Sequence, residues 1–373
     1  MKIMKVGIIG CGGIFSQHAF PLHLNSNTEV VAVCDNKPAP LADAKALFNY
    51  DGYSDYHELL KRDDIDVIHV LTPHNLHAPM VIDAANAGKH VLTEKPMSIG
   101  LDEAKKMLEA GKRNGITIGV ISQNRYNACS QAVKKAVVSG SLGKVISQRV
   151  ILTFGKPESY YKASDWRGTW EQEGGALLID QSVHQLDLAR WIADGLVSSV
   201  DASLTNRRHP YIKTEDTAEG LVEYHNGASM VFYATNNLKF DAPPLVETYC
   251  EKGIASLGMN DATITYTDGT ENLVVNNPMD GYDEAEFIAF FKKTPFEMAM
   301  KILKQWGIVG SPITWKGSHG FFGLSHIKQI NNFYESLAAG VRPDIDAEEA
   351  IKSQAMMWGI YESAKTQTTI RFD

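Results

Sequence analysis

The segment that most restricts the fold is residues 5–9 (KVGII), which runs directly into Gly10-Cys11-Gly12-Gly13-Ile14. An apolar strand ending in a Gly-x-Gly turn that opens a helix brings backbone N–H groups and a helix N-terminus up to a pyrophosphate. Gly10 permits the tight turn, Gly12 lets the backbone approach, and Gly13 and Ile14 complete the loop. Phe15 takes the place of the third small residue, so either Gly13 relieves the packing or the helix starts slightly displaced. Asp35 closes the next strand, where a carboxylate can accept hydrogen bonds from an adenosine ribose and repel a 2′-phosphate. NAD is therefore expected over NADP, although Lys37 nearby leaves the preference open.

Further short apolar runs at 29–34, 67–71, 90–92 and 117–120 alternate with helix-like stretches at 40–48, 56–61, 79–87 and 101–114. Strands apolar on both faces, separated by helices, predict a doubly wound parallel sheet. This Rossmann-type α/β domain is assigned to residues 1–124. From 125 to 373 the pattern changes. Alternating strand candidates at 144–154, 197–206, 216–224, 228–235, 246–250, 254–258 and 263–267 are partly joined by Asn/Gly turns such as His225-Asn226-Gly227. They predict an α+β domain with a mainly antiparallel sheet. Helices are expected at 130–139, 177–193, 324–339 and 347–365, the closing ones able to pack back on the first domain. An insertion at about 270–320 includes a Phe- and Met-rich helical stretch at 283–306, read as a packing element or a substrate lid.

A length of 373 residues suits two domains. A formal net charge of −8 argues against nucleic acid or an anionic membrane surface as the partner and leaves a small molecule as the default. The four cysteines are scattered without metal-ligand spacing, so no metal is expected and a reducing cytoplasm fits them. No leader pattern and no bilayer-length apolar run is evident.

Chemistry-bearing residues gather at predicted strand exits. Thr72, Pro73 and Asn75 follow the fourth strand and are assigned to the cofactor's ribose and nicotinamide side, with His77 given to packing or cofactor contact. Glu94-Lys95-Pro96 follows the next strand, and proline holds Lys95 out of helical geometry, with a cis bond plausible. Lys95 is thus aimed into the same cleft. Asp180 and His184 are four residues apart, so one helix face can present both, and Asp187 lies where it could orient His184.

With these motifs in view, the chain resembles the glucose–fructose oxidoreductase, inositol dehydrogenase and MocA family over nearly its full length. The resemblance rests on GIIGCGGI, Asp35, TPHNLH, EKP, Gln123-Asn124-Arg125-Tyr126 and GGALLIDQSVHQLDLARW. It implies Lys95, Asp180 and His184 as the catalytic set, with His184 the proton acceptor, and an open-faced sheet used in homodimer or homotetramer contacts. It further implies that Glu94, Lys95, Trp166 and Arg167 stand near the cofactor. Arg125, Tyr126, Tyr160 and Tyr161 would line the substrate site beside Asp180 and His184, with Trp170 available for stacking. The expected reaction is NAD-dependent oxidation of a secondary hydroxyl on a sugar, cyclitol or glycoside, including carbon 3 of a glucoside. The alternatives are an NAD-dependent glycosidase that oxidises transiently and eliminates, and a non-catalytic NAD sensor.

Overall fold

The computed structural model describes residues 2–275 and 324–373. The helical stretch expected at 283–306 and most of the insertion lie outside them. The first layer contains β1 (Met4–Ile9), α1 (Phe15–Leu24), β2 (Thr28–Cys34), α2 (Pro38–Phe48), β3 (Asp51–Tyr53) and α3 (Tyr56–Leu60). It continues with β4 (Val67–Val70), α4 (His74–Asn86), β5 (His90–Thr93), α5 (Leu101–Asn114) and β6 (Ile118–Val120). The six strands pair in parallel in the order β3-β2-β1-β4-β5-β6. The order reverses between β1 and β4, so a crevice opens beyond their carboxyl ends.

Local sequence explains these elements. The four residues of β4 are all buried, as an interior parallel strand requires. Helix α5 carries Asp102 and Glu103 in its first turn and Lys112 and Arg113 in its last, matching its dipole. It stops at Gly115, whose φ of 63° suits a residue without a Cβ. The short edge strand β3 has too few residues for a readable alternation, and the sequence pattern did not include it.

The second layer begins after a 3₁₀ turn (Gln123–Tyr126) with α6 (Ala128–Val138), β7 (Val145–Thr153) and α7 (Glu158–Lys162). A π-helical turn (Leu177–Ser182) leads into α8 (Val183–Ala193), then β8 (Val197–Thr205), β9 (Thr217–Tyr224), β10 (Ser229–Thr235) and β11 (Leu245–Cys250). The hairpin strands β12 (Gly253–Leu257), β13 (Asp261–Tyr266) and β14 (Glu271–Val275) follow. The helix expected over 177–193 is therefore two segments of different winding. The chain closes with α9 (Leu324–Ala339), α10 (Ala347–Thr366) and β15 (Ile370–Arg371).

Among the described residues this sheet has the order β14-β13-β12-β11-β7-β10-β9-β8-β15. Its pairings are antiparallel except β7 with β10. One face buries Val150, Val222, Met230 and Val246 against α8 and α10. By register, Leu221, Val231, Ile254 and Leu273 lie on the opposite face and are exposed. Both closing helices return to the first layer. Phe333 and Tyr334 of α9 are buried in the core that holds Val6, Ile8 and Leu92. Helix α10 gives Ala347 and Ala350 to the core around β4 and β5, and Met356 and Ile360 to the core of the second sheet. This double burial joins the layers where the site forms.

Candidate active site

The crevice has a shape that suits a dinucleotide. Gly10 has φ of 100°, and a Cβ there would stand 2.5 Å from the Leu71 carbonyl oxygen. A Cβ on Gly12 or Gly13 would meet nothing within 4 Å, so open space lies over the loop at the start of α1. Ile14, the residue before α1, provides no side-chain cap. Asp35 ties the loop to β2: Cys11 N–H donates to its Oδ2 at 2.8 Å and Lys37 N–H to its Oδ1 at 2.8 Å. Beyond β4, Thr72 Oγ1 is buried with no partner. Asn75 N–H donates to the Gln172 carbonyl at 3.0 Å, which joins this exit to a loop of the second layer. An open glycine turn, an uncapped helix start, an anchored carboxylate and an orphaned hydroxyl fit the phosphates, ribose and polar edge of NAD.

Lys95 stands at the carboxyl end of β5, and its peptide bond to Pro96 is cis. Its Nζ donates to Asp180 Oδ1 and to the Asp180 carbonyl, each at 2.7 Å. Tyr160 O–H donates to Asp180 Oδ2 at 2.7 Å, and Gln181 Nε2 reaches the same oxygen at 3.3 Å. Burial alone would push the Asp180 carboxyl up. The Lys95 charge, His74 and hydrogen bonds from Lys95 and Tyr160 outweigh it and hold Asp180 far below the usual carboxylate range. His184, the second residue of α8, is pushed down to about 3 by burial and then by the Lys95 charge. Its imidazole is neutral at physiological pH.

The π-helical turn places Asp180 one turn before His184, and such turns recur where a helix must aim side chains at a ligand. It follows Gly174 and Gly175, with φ of 80° and 146°, so the chain enters the helix through backbone that favours glycine. A Cβ on Gly175 would collide with the Tyr361 hydroxyl at 1.9 Å.

Several sequence assignments need correction. Arg125 does not face the cleft: it is 2% exposed, and its guanidinium binds Asp187 and Glu349. Asp187 is held by Arg125 and by Ser353 O–H. The Tyr126 hydroxyl points to Asn332 and Asp344 on the segment around α9. Tyr161 supports the site from behind: its hydroxyl accepts from Asn236 at 2.8 Å, and its ring packs edge-on against Tyr160. His77 is fully buried with Nδ1 2.7 Å from the Pro96 carbonyl and Nε2 2.8 Å from the Thr72 carbonyl, so it fastens two loops together. The Glu94 carboxylate turns into the protein, where His18 at 2.9 Å and His326 at 3.3 Å meet its Oε1.

His74 is a residue that sequence reasoning passed over. Its Nδ1 lies 2.9 Å from the Glu173 carbonyl, which fixes the proton there and turns the other nitrogen toward Asp180 Oδ1, 3.8 Å away. Burial pushes it down to about 3, and its ring lies 4.8 Å from that of Trp166. Two histidines three apart at one strand exit gave no signal for telling the bolt from the cleft residue. Asn124 was also missed as a contact. It sits beyond β6, 2% exposed, with neither amide atom bonded. Its place at a strand's carboxyl end was a usable signal.

Fold and crevice together define an NAD-binding Rossmann oxidoreductase with a second, sheet-built domain. The chain belongs to the GFO/IDH/MocA family. Residues 4–122 match its oxidoreductase domain with NAD-binding Rossmann fold, and residues 130–256 match a GFO/IDH/MocA C-terminal domain. It is 26% identical to myo-inositol 2-dehydrogenase of Thermotoga maritima over 71% of this chain and 78% of that one. It is 25% identical to D-xylose 1-dehydrogenase (NADP(+)) 2 of Haloferax volcanii over 99% of this chain and all of that one. Its fold superposes with a TM-score of 0.80 on the WlbA dehydrogenase of Bordetella pertussis in complex with NADH and UDP-GlcNAcA, at 26% identity, covering 100% of this chain and 98% of that one.

Proposed function

We propose that this protein reversibly oxidises a secondary hydroxyl of a sugar, a cyclitol or a derivative of either, with Lys95, Asp180 and His184 as its catalytic residues. The observation that carries the reading is the Lys95 ammonium held at 2.7 Å on Asp180 beside a neutral His184 in the NAD crevice. The relatives and the structural neighbour support the substrate class, since they are named for inositol and xylose or were solved with a sugar nucleotide.

NAD, when bound, accepts the hydride from the carbinol carbon. The chain's own residues handle the proton. As the C–H electron pair leaves, the hydroxyl proton becomes strongly acidic and passes to the neutral imidazole of His184. Burial and the Lys95 charge lower the proton affinity of His184, so its imidazole is unprotonated before the hydroxyl proton arrives. Lys95 donates a hydrogen bond to the same oxygen and stabilises its developing negative charge. Asp180 holds Lys95 in place through its carboxylate and its carbonyl, while Tyr160 caps the second carboxylate oxygen. Thr72, Asn75, Asn124 and Trp166 are assigned to the cofactor side, with Gly10, Gly12, Gly13, Ile14 and Asp35 holding its phosphates and adenosine ribose.

The test is NADH absorbance with NAD and a panel of cyclitols, aldoses and aryl glucosides. Lys95→Ala is expected to lower turnover at least about 100-fold. Retention of more than a tenth of the activity would remove Lys95 from the catalytic set. Release of aglycone from aryl glucosides without net NADH would transfer the protein to the transient-oxidation glycosidase reading. The exposed apolar side chains on the open face of the second sheet support a homo-oligomer built through that face.

A further inference from the structure

Among the described residues, two cations beside the Lys95–Asp180 pair form no ion pair. Lys156 follows β7 and Arg167 follows α7, and both are half-buried around one aromatic ring. Lys156 Nζ lies 4.5 Å and Arg167 Cζ 4.3 Å from the centroid of Tyr160. Tyr160 is the same residue whose hydroxyl binds Asp180 Oδ2 at 2.7 Å. Both cations therefore flank the ring whose hydroxyl meets Asp180.

Three cations near this region are matched by acids, whereas the buried Lys89 ammonium is held by the Arg62 carbonyl at 2.7 Å. Lys95 binds Asp180, Arg125 binds Asp187 and Glu349, and Arg190 binds Glu349. Among the described residues neither Lys156 nor Arg167 forms an ion pair. The carboxylates that act on Lys156 are those of Asp180, already engaged by Lys95 and Tyr160, and of Asp241, which accepts from Gly155 N–H. Arg167 Nε is buried without a partner, and Nη1 reaches only the Tyr160 carbonyl at 3.5 Å. Partial burial strips hydration from a cation, so two like charges brought together without an acid leave a place for an external anion. The planar fork of a guanidinium suits a carboxylate or a phosphate in particular.

We propose that Lys156 and Arg167 form an anion subsite, and that the hydroxyl substrate is an acidic sugar derivative carrying a carboxylate or a phosphate. This rests on the reading of Lys95, Asp180 and His184 as the hydride-transfer centre. Burial lowers the proton affinity of Lys156, and a bound anion would restore it.

The experiment compares D-glucuronate and D-glucose 6-phosphate with the neutral twin D-glucose, at saturating NAD, by NADH formation. The expected result is a kcat/KM for one of the two acids at least ten-fold above that for glucose. The arm that responds distinguishes carboxylate from phosphate. The acid-to-neutral ratio should fall at least ten-fold in Lys156→Gln and recover in Lys156→Arg. Glucose turning over as well as both acids, or a ratio unmoved by Lys156→Gln, overturns the subsite. On Arg167→Gln, a raised KM for NAD with an unchanged ratio would return Arg167 to the cofactor and overturn its part. If none of the three yields NADH, the failure falls on the hydroxyl-oxidation reading. Calorimetric binding of glucuronate and glucose 6-phosphate to the NADH-saturated protein then still reads the subsite. Ten-fold weaker binding to Lys156→Gln supports it, and equal binding to both proteins sinks it.

Discussion

Glu94 and Lys95 are neighbours in sequence, yet they head two polar clusters of opposite character. On the Glu94 side a chain of contacts runs to the carboxylate, with His326 Nδ1, among the described residues, left unbonded at its edge. Tyr334 lies 2.9 Å from His69 Nε2, His69 Nδ1 lies 2.8 Å from His18 Nδ1, and His18 Nε2 lies 2.9 Å from Glu94 Oε1. With all three residues of this chain neutral, one assignment satisfies every contact: Tyr334 donates to His69, His69 to His18, and His18 to the carboxylate. Lys95 N–H donates to the other Glu94 oxygen at 3.1 Å. On the Lys95 side, His74 Nε2 stands 3.8 Å from the Asp180 carboxylate, and Asn124 and Thr72 keep unbonded polar atoms. A chain of donors that ends on a buried carboxylate holds structure together, whereas unbonded groups around a lysine can take a ligand.

Four outcomes would sharpen or break this contrast, beginning with Lys95→Ala. Its turnover loss of at least about 100-fold should leave KM for NAD within a few-fold. A loss confined to KM would make Lys95 a binding residue only. Second, Asp35→Ala should raise KM for NAD about ten-fold or more and narrow the NAD-to-NADP preference. An unchanged preference between the two dinucleotides would leave Asp35 as the anchor of the glycine loop alone.

Third, Glu94→Gln weakens the carboxylate acceptor on which the His18 and His326 contacts converge. The expected cost is about 1–3 kcal/mol in denaturant unfolding, with turnover lowered less than ten-fold. Loss of turnover as large as that of Lys95→Ala, at unchanged stability, would erase the distinction between the clusters.

Fourth, burial and then the Asp180 charge push Glu173 up from 4.5 to about 8. A group raised on folding contributes stability that is complete below pH 4.5 and lost as pH rises through 8. Glu173→Gln imitates the protonated form. It should melt with the parent protein at pH 5 and several degrees above it at pH 9, read by circular dichroism. A gap of the same size at both pH values would show that Glu173 does not titrate in this range.

The sequence made the first layer readable because strand, glycine turn and helix are set by local chemistry. KVGII ending in Gly10, the charge pattern of α5 and its stop at Gly115 each needed only nearby residues. The pairing of Lys95 with Asp180 was also anticipated from two short motifs. The misses share a cause. Arg125 was assigned to the substrate, but Glu349 and Asp187 claim it, and Glu349 lies 224 residues away on α10. Of the two roles open to His77 it takes packing, because the carbonyls of Thr72 and Pro96 face it, while His74 stands by Asp180. No local pattern reports such distant partners.

By itself the sequence determined that a Rossmann layer binds a dinucleotide and that Lys95 stands at one of its strand exits. Backbone turns, apolar periodicity and motif spacing act over a few residues, so the chain carries that information openly. The tertiary structure decided which polar groups are consumed and which remain available. That division depends on desolvation and on partners brought together by α9, α10 and the second sheet, and it separates buried Glu94 from Lys95 one residue later.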